Sequence, residues 1–131
     1  MIEATLKEID RGAIVLKRLA DDAKLPPVLF IKVCNAWHDI QEQMELVGIK
    51  QQESLNLHYE QINPNQFLPK SKEARIAHDT TMRDLLAMVV QLPRVKETIP
   101  WKLIEEAKID PPLTPAEAVA LAWLIELPDE Q

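Results

Sequence analysis

Residues 26–48 read PPVLFIKVCNAWHDIQEQMELVG, and the rest of the chain is parsed from this stretch. Proline lacks the amide hydrogen and clashes with the carbonyl four residues back, so Pro26 and Pro27 belong before or inside the first turn of a helix. From there Phe30, Val33, Cys34, Trp37, Ile40, Met44 and Val47 recur at three- and four-residue steps, forming one apolar stripe. Gly48 fits a left-handed stop at the far end. The first two turns are apolar on nearly all sides through Val28, Leu29 and Ile31, which places this end at the centre of a core.

The same punctuation runs through the whole chain. There are ten prolines and two glycines among 131 residues. Pro64, Pro69, Pro93, Pro100, Pro111, Pro112, Pro115 and Pro128 all fall between or at the edges of apolar runs. Glycine, which hairpin turns and bulges usually require, is nearly absent. The expected fold is therefore an all-α, single-domain bundle of five to six helices over residues 1–131, separated by proline-marked turns. Residues 3–22 form the first helix, with Ile2, Leu6, Ile9, Ala13, Leu16 and Ala20 on one face and Gly12 marking a close helix crossing. Residues 49–70 are the least distinct stretch. Leu55, Leu57 and Tyr59 alternate as a strand does, while Leu55, Tyr59 and Ile62 fit a helix. A helix near 50–61 is preferred, because a single strand would have no partner. A helix over 71–92 capped by Ser71, a short one near 100–109, and a last one opened by the capping box Thr114-Pro115-Ala116-Glu117 and closed by Pro128 complete the set.

The bulk numbers bound the function. A chain of this length buries about two-thirds of its unfolded surface and needs no disulfide or metal. Its one cysteine, Cys34, points to a reducing compartment, so the expected location is the cytoplasm. No stretch is long and apolar enough for a signal peptide or a membrane span. The net charge of −6 opposes wholesale phosphate binding, but it is unevenly spread. Residues 1–69 carry −3, residues 70–102 carry +3 and residues 103–131 carry −6.

Few residues carry chemistry. No nucleophile elbow and no glycine-rich phosphate loop occurs, and one cysteine cannot build a cysteine-rich zinc site. Glu42 with Glu45 and Glu105 with Glu106 lack the Glu-x-x-His spacing of a carboxylate-bridged di-iron bundle and read as solvated faces. Cys34 and His38 stand one turn apart, as an activated thiol would require, but Cys34 shares the core stripe with Val33 and Trp37. No catalytic residue, metal ligand or cofactor is assigned from these patterns, and no small-molecule substrate is identified.

Two His-Asp pairs, His38–Asp39 and His78–Asp79, resemble the metal-dependent HD-type phosphohydrolases. Their pattern is a histidine, a later His-Asp pair and a distant aspartate. That resemblance implies His38 as first ligand, His78 and Asp79 as the pair and Asp110 as the last, holding a divalent ion that acidifies water. The residues following the pairs, Ile40-Gln41 and Thr80-Thr81, lack the family's usual glycine.

The expected function is non-catalytic. Trp101 and Trp123, with Leu121 and Leu124, mark a protein interface, because the last helix is apolar on more than one side and tryptophan is enriched at interface hot spots. The partner is another protein or a second copy of the chain. The alternative is a nucleic-acid-associated subunit of a nucleoprotein complex. Its phosphate contacts would be Lys70, Lys72, Arg75, Arg83, Arg94 and Lys96, with Lys102 nearby. Glu73, Asp79, Asp84 and Glu97 interrupt this row, and no aromatic residue lies within 70–99 to stack a base.

Overall fold

The computed structural model describes residues 2–22 and 24–127. The Pro128 helix stop lies outside the described residues. The chain runs β1 (Ile2–Thr5), α1 (Leu6–Ala20), α2 (Pro27–His58), β2 (Tyr59–Asn63), β3 (Gln66–Pro69), α3 (Lys72–Leu86), β4 (Val89–Leu92), β5 (Ile99–Pro100), α4 (Trp101–Glu106), α5 (Pro115–Ala120) and β6 (Ile125–Glu126). This corrects the all-α expectation. Among the described residues the fold is mixed, 59% helical and 17% strand, with five helices and three small sheets.

Each correction has a local cause. Residues 2–5 do not begin the first helix. The side chain of Thr5 accepts from the Glu8 amide at 3.1 Å while Glu8 accepts from the Thr5 amide at 3.0 Å, and this capping box starts α1 at Leu6. The residues before it are released to pair antiparallel with β4, Ile2 opposite Leu92 and Thr5 opposite Val89. The end of the expected 71–92 helix is that partner strand. β-Branched Val89 and Val90 favour the extended backbone, and α3 stops at Leu86.

Gly48 does not end the second helix. No glycine takes a positive φ, and α2 continues through Gly48 for 32 residues, a rod of about 48 Å. The helix expected near 50–61 ends at His58, so Leu55 and Leu57 are helical and a paired strand begins only at Tyr59. The partner is β3, reached through Pro64 and Asn65, with Tyr59 opposite Pro69 and Gln61 opposite Phe67. The last helix is short. α5 keeps its Thr114–Glu117 capping box and ends at Ala120. The chain then turns so that β6 lies parallel to β5, Ile99 beside Ile125.

One cluster of buried apolar side chains holds α1, the first half of α2, β1, β4 and the C-terminal third together. Ile9, Leu16, Leu29, Val33, Ile40, Leu92, Ile99, Leu121, Leu124 and Ile125 are all almost fully buried in it. Gly12 permits the closest approach. A Cβ there would lie 2.9 Å from the Ala120 carbonyl oxygen and 3.1 Å from Trp123 Nε1, so only glycine fits where α1 crosses the end of α5. Among the described residues no helix is long and apolar enough to cross a membrane.

Candidate protein interface

The buried apolar cluster stops at Val47 and resumes at Leu92. Between them, the second half of α2, the β2–β3 hairpin and α3 form an arm. The only buried residues within it are Ser54 and His78, both polar. Their side chains meet at 2.7 Å, Ser54 Oγ to His78 Nδ1, and Tyr59 sets its ring edge-on to His78 with centroids 5.1 Å apart. This polar contact pins α3 to α2 where a core would ordinarily sit.

A buried serine against a histidine invites comparison with a catalytic pair. Ser54 lies in the interior of α2, where the backbone amides are committed to carbonyls one turn earlier. No free amide is left to stabilise an oxyanion beside it. The contact joins α2 to α3 across 24 positions of the chain.

Outside that pin no side chain of the arm is fully buried, although Leu85 and Leu86 of α3 pack half-buried against the body's apolar cluster. Residues 60–73 are exposed without interruption, and the hairpin's apolar side chains Ile62, Phe67 and Leu68 lie on the surface. An isolated two-stranded hairpin is marginal in water, because it has no third strand or helix against which to hide a face. On α2 itself Leu46, Ile49 and Leu57 are exposed by 55%, 50% and 67%. With Glu53 they step by three or four residues and so share one side of the rod. Beside this stripe a shallow cleft of about 240 Å³ is lined by Lys50, Glu53, Ser54 and Leu57 of α2 and by Thr81 and Leu85 of α3.

The residues expected at an interface, Trp101, Trp123, Leu121 and Leu124, lie in or against the body. Leu121 and Leu124 are buried inside the chain's own core, and Trp123 is nearly so, reaching the surface only as one wall of a cleft with Pro115, Val119 and Ala120. Trp101 is half-buried against that core and donates from Nε1 to Glu105 at 2.9 Å. Much of the apolarity of residues 118–125 is explained by burial within the molecule, while Val119 is 66% exposed. A second cleft, of about 370 Å³, runs between the start of α2 and the loop after β4, over Val28, Ile31, Val95 and Ile99.

The cations of residues 70–102 do not form one row. Lys70 and Lys72 flank the Ser71 cap between β3 and α3, and Arg75 and Arg83 are exposed on α3, Arg83 at 3.7 Å from Asp84. Lys96 is exposed in the loop before β5, and Lys102 lies 3.8 Å from Glu106. Arg94 serves the fold. Its amide donates to Asp39 Oδ2 at 2.8 Å and its Nη1 to Asp39 Oδ1 at 2.7 Å, with Glu42 at 3.4 Å. Asp39 is buried, and this bidentate contact is what satisfies it. The hydrogen bond to Asp39 holds the Arg94 pKa above its ordinary value, against the opposing effect of desolvation. No signal in the sequence singled out this pairing, nor that of Ser54 with His78.

The residues of the HD resemblance are dispersed among other tasks. His78 is turned to Ser54, and His38, Asp79 and Asp110 are exposed. Among the described residues no three His, Cys, Asp or Glu side chains gather to hold a metal. Cys34 is half-buried and shares no hydrogen bond with His38 among the described residues. The chain matches no protein-family model, and neither a curated protein nor a solved structure is similar to it.

Proposed function

We propose that the protein is a non-catalytic assembly subunit that works by laying its arm, the second half of α2 with the β2–β3 hairpin and α3, against another protein. The observation that carries this reading is the absence of any buried apolar side chain between Val47 and Leu92. A segment that long, presenting Ile49, Leu57, Ile62, Phe67 and Leu68 to water, leaves apolar area that a partner surface would remove. The body supplies a rigid mount, because α2 is one continuous helix through both regions. The arm itself is electrically neutral. Lys50, Lys70, Lys72, Arg75 and Arg83 balance Glu53, Glu60, Glu73, Asp79 and Asp84. That balance favours a protein surface over a phosphate backbone, which selects for net positive charge. The single thiol, Cys34, supports the cytoplasm as the setting.

The test is site-specific photo-crosslinking in the producing cell. A photoreactive side chain at Leu68 is expected to give discrete protein adducts. The same group at Lys102, exposed on the body, is expected to give none. Adducts absent at Leu68, or equal at both positions, contradict the reading.

A further inference from the structure

We infer that the partner of the arm is a second copy of this chain, joined by antiparallel pairing of the exposed α2 stripes about a twofold axis. The inference rests on the arm being an interface, and it adds which surface meets which.

The argument begins with charge. Residues 1–47 carry −2 and residues 92–131 carry −4, while residues 48–91 are neutral. Two copies that meet through their bodies would bring like charge together. Meeting through their arms keeps the acidic bodies apart.

The stripe is also complementary to itself. Antiparallel pairing that sets Leu46 opposite Leu57 of the second copy sets Lys50 opposite its Glu53, and the twofold axis repeats both contacts. No like charges face each other. Within one copy Lys50 Nζ lies 3.6 Å from Glu53 Oε2, with both side chains more than 60% exposed. Such a pair is worth little in water, so exchanging it for the intermolecular one costs little.

The shape agrees with the charge. Lys50, Glu53, Ser54 and Leu57 are residues i, i+3, i+4 and i+7 of one helix, the four positions that form a hole for a knob from a facing helix. In this structure they line a cleft of about 240 Å³, closed on its far side by Thr81 and Leu85. The register places Ile49 of the second copy over it. Ile49 is half exposed and has no other role in the fold.

Sedimentation equilibrium of the purified full chain tests this. The expected result is a dimer of the 15.0 kDa chain that dissociates on dilution. Ile49→Asp should raise the dissociation constant by at least about 30-fold, the cost of losing an interface hot spot. Because Ile49 is exposed in the single chain, its circular dichroism should not change. Lys50→Glu should weaken the dimer about 10-fold by setting glutamates against each other on both sides of the axis. Lys50→Glu with Glu53→Lys should restore it to within about 3-fold. A 15.0 kDa species at every concentration overturns the inference, as does a dimer indifferent to Ile49→Asp or not rescued by the double reversal. A monomer that still gives adducts from Leu68 in cells removes the second copy and keeps the arm as an interface. A monomer that gives none removes both.

Discussion

The body and the arm share a helix but are held together by different physics. In the body α2 buries Leu29, Val33, Ala36 and Ile40 against α1 and the C-terminal third. Fully burying a leucine or isoleucine contributes about 1.5–3 kcal/mol, so this half carries most of the folding free energy. In the arm the same helix presents Ile49 and Leu57 to water and is joined to α3 through Ser54 and His78. One buried hydrogen bond is worth about 1 kcal/mol net. The fold concentrates its core at one end and leaves apolar side chains uncovered at the other.

The largest test of that division is a matched pair of truncations. Leu16→Ala, in the core, should destabilise the chain by about 3 kcal/mol in chemical denaturation, from lost transfer energy plus the cavity. Leu57→Ala removes the same atoms from an exposed site and should change stability by less than about 0.5 kcal/mol. Similar losses at both would break the comparison.

Next in size is the pin that ties α2 to the loop after β4. Asp39→Ala removes the acceptor of two of the three Arg94 hydrogen bonds and should cost about 2 kcal/mol, read by the same denaturation. Because Asp39 belongs to the body, the unfolding transition should shift as a whole.

Ser54→Ala sharpens the contrast. It leaves His78 without its partner inside the arm and should cost about 1 kcal/mol. The loss should appear as faster amide exchange in α3, with α1 unchanged, because the arm opens as its own unit. A global shift of the kind expected for Asp39→Ala would mean the two regions unfold together.

The smallest effect concerns acid. The backbone hydrogen bond from Thr114, aided by Arg18 at 3.5 Å and opposed by desolvation, holds the Glu117 carboxyl below its ordinary value of 4.5. A lowered folded-state pKa gives stability that is present above 4.5 and lost as the pH falls through the folded value. Acid titration of amide signals in α5 should therefore show loosening only below that range. Glu117→Gln should remove the pH dependence.

How much was legible follows from where each signal sits. Local rules read well. The proline start of α2, the Ser71 cap and the Thr114–Glu117 capping box all occur where the residues place them. Thr5 and Glu8 carry the same capping-box spacing, and giving it equal weight would have freed Ile2–Thr5 as a strand. Gly48 misled because a glycine is compatible with a left-handed stop without requiring one. The hairpin was missed because Tyr59–Asn63 has no apolar face turned to a core, which is the pattern strand recognition relies on.

The burial of the last apolar run was missed for a related reason. Periodicity shows that Trp123 and Leu124 must be covered, but not whether the cover is the same chain, and α1 supplies it through Gly12. Asp39 with Arg94 is a pairing across 55 positions, and Ser54 with His78 one across 24. Nothing local marks either. The stripe of Leu46, Ile49 and Leu57 was hidden by the expected break at Gly48, which divided it between two helices.

The most direct test of the central claim, that the arm lacks a core of its own, is residue-resolved amide hydrogen exchange of the dilute chain. The account predicts that amides of the hairpin and α3 exchange at least about 100-fold faster than those of α1 and the first half of α2, and slow as concentration rises and the arm is covered. Protection in the hairpin and α3 equal to that of α1 at high dilution would contradict it.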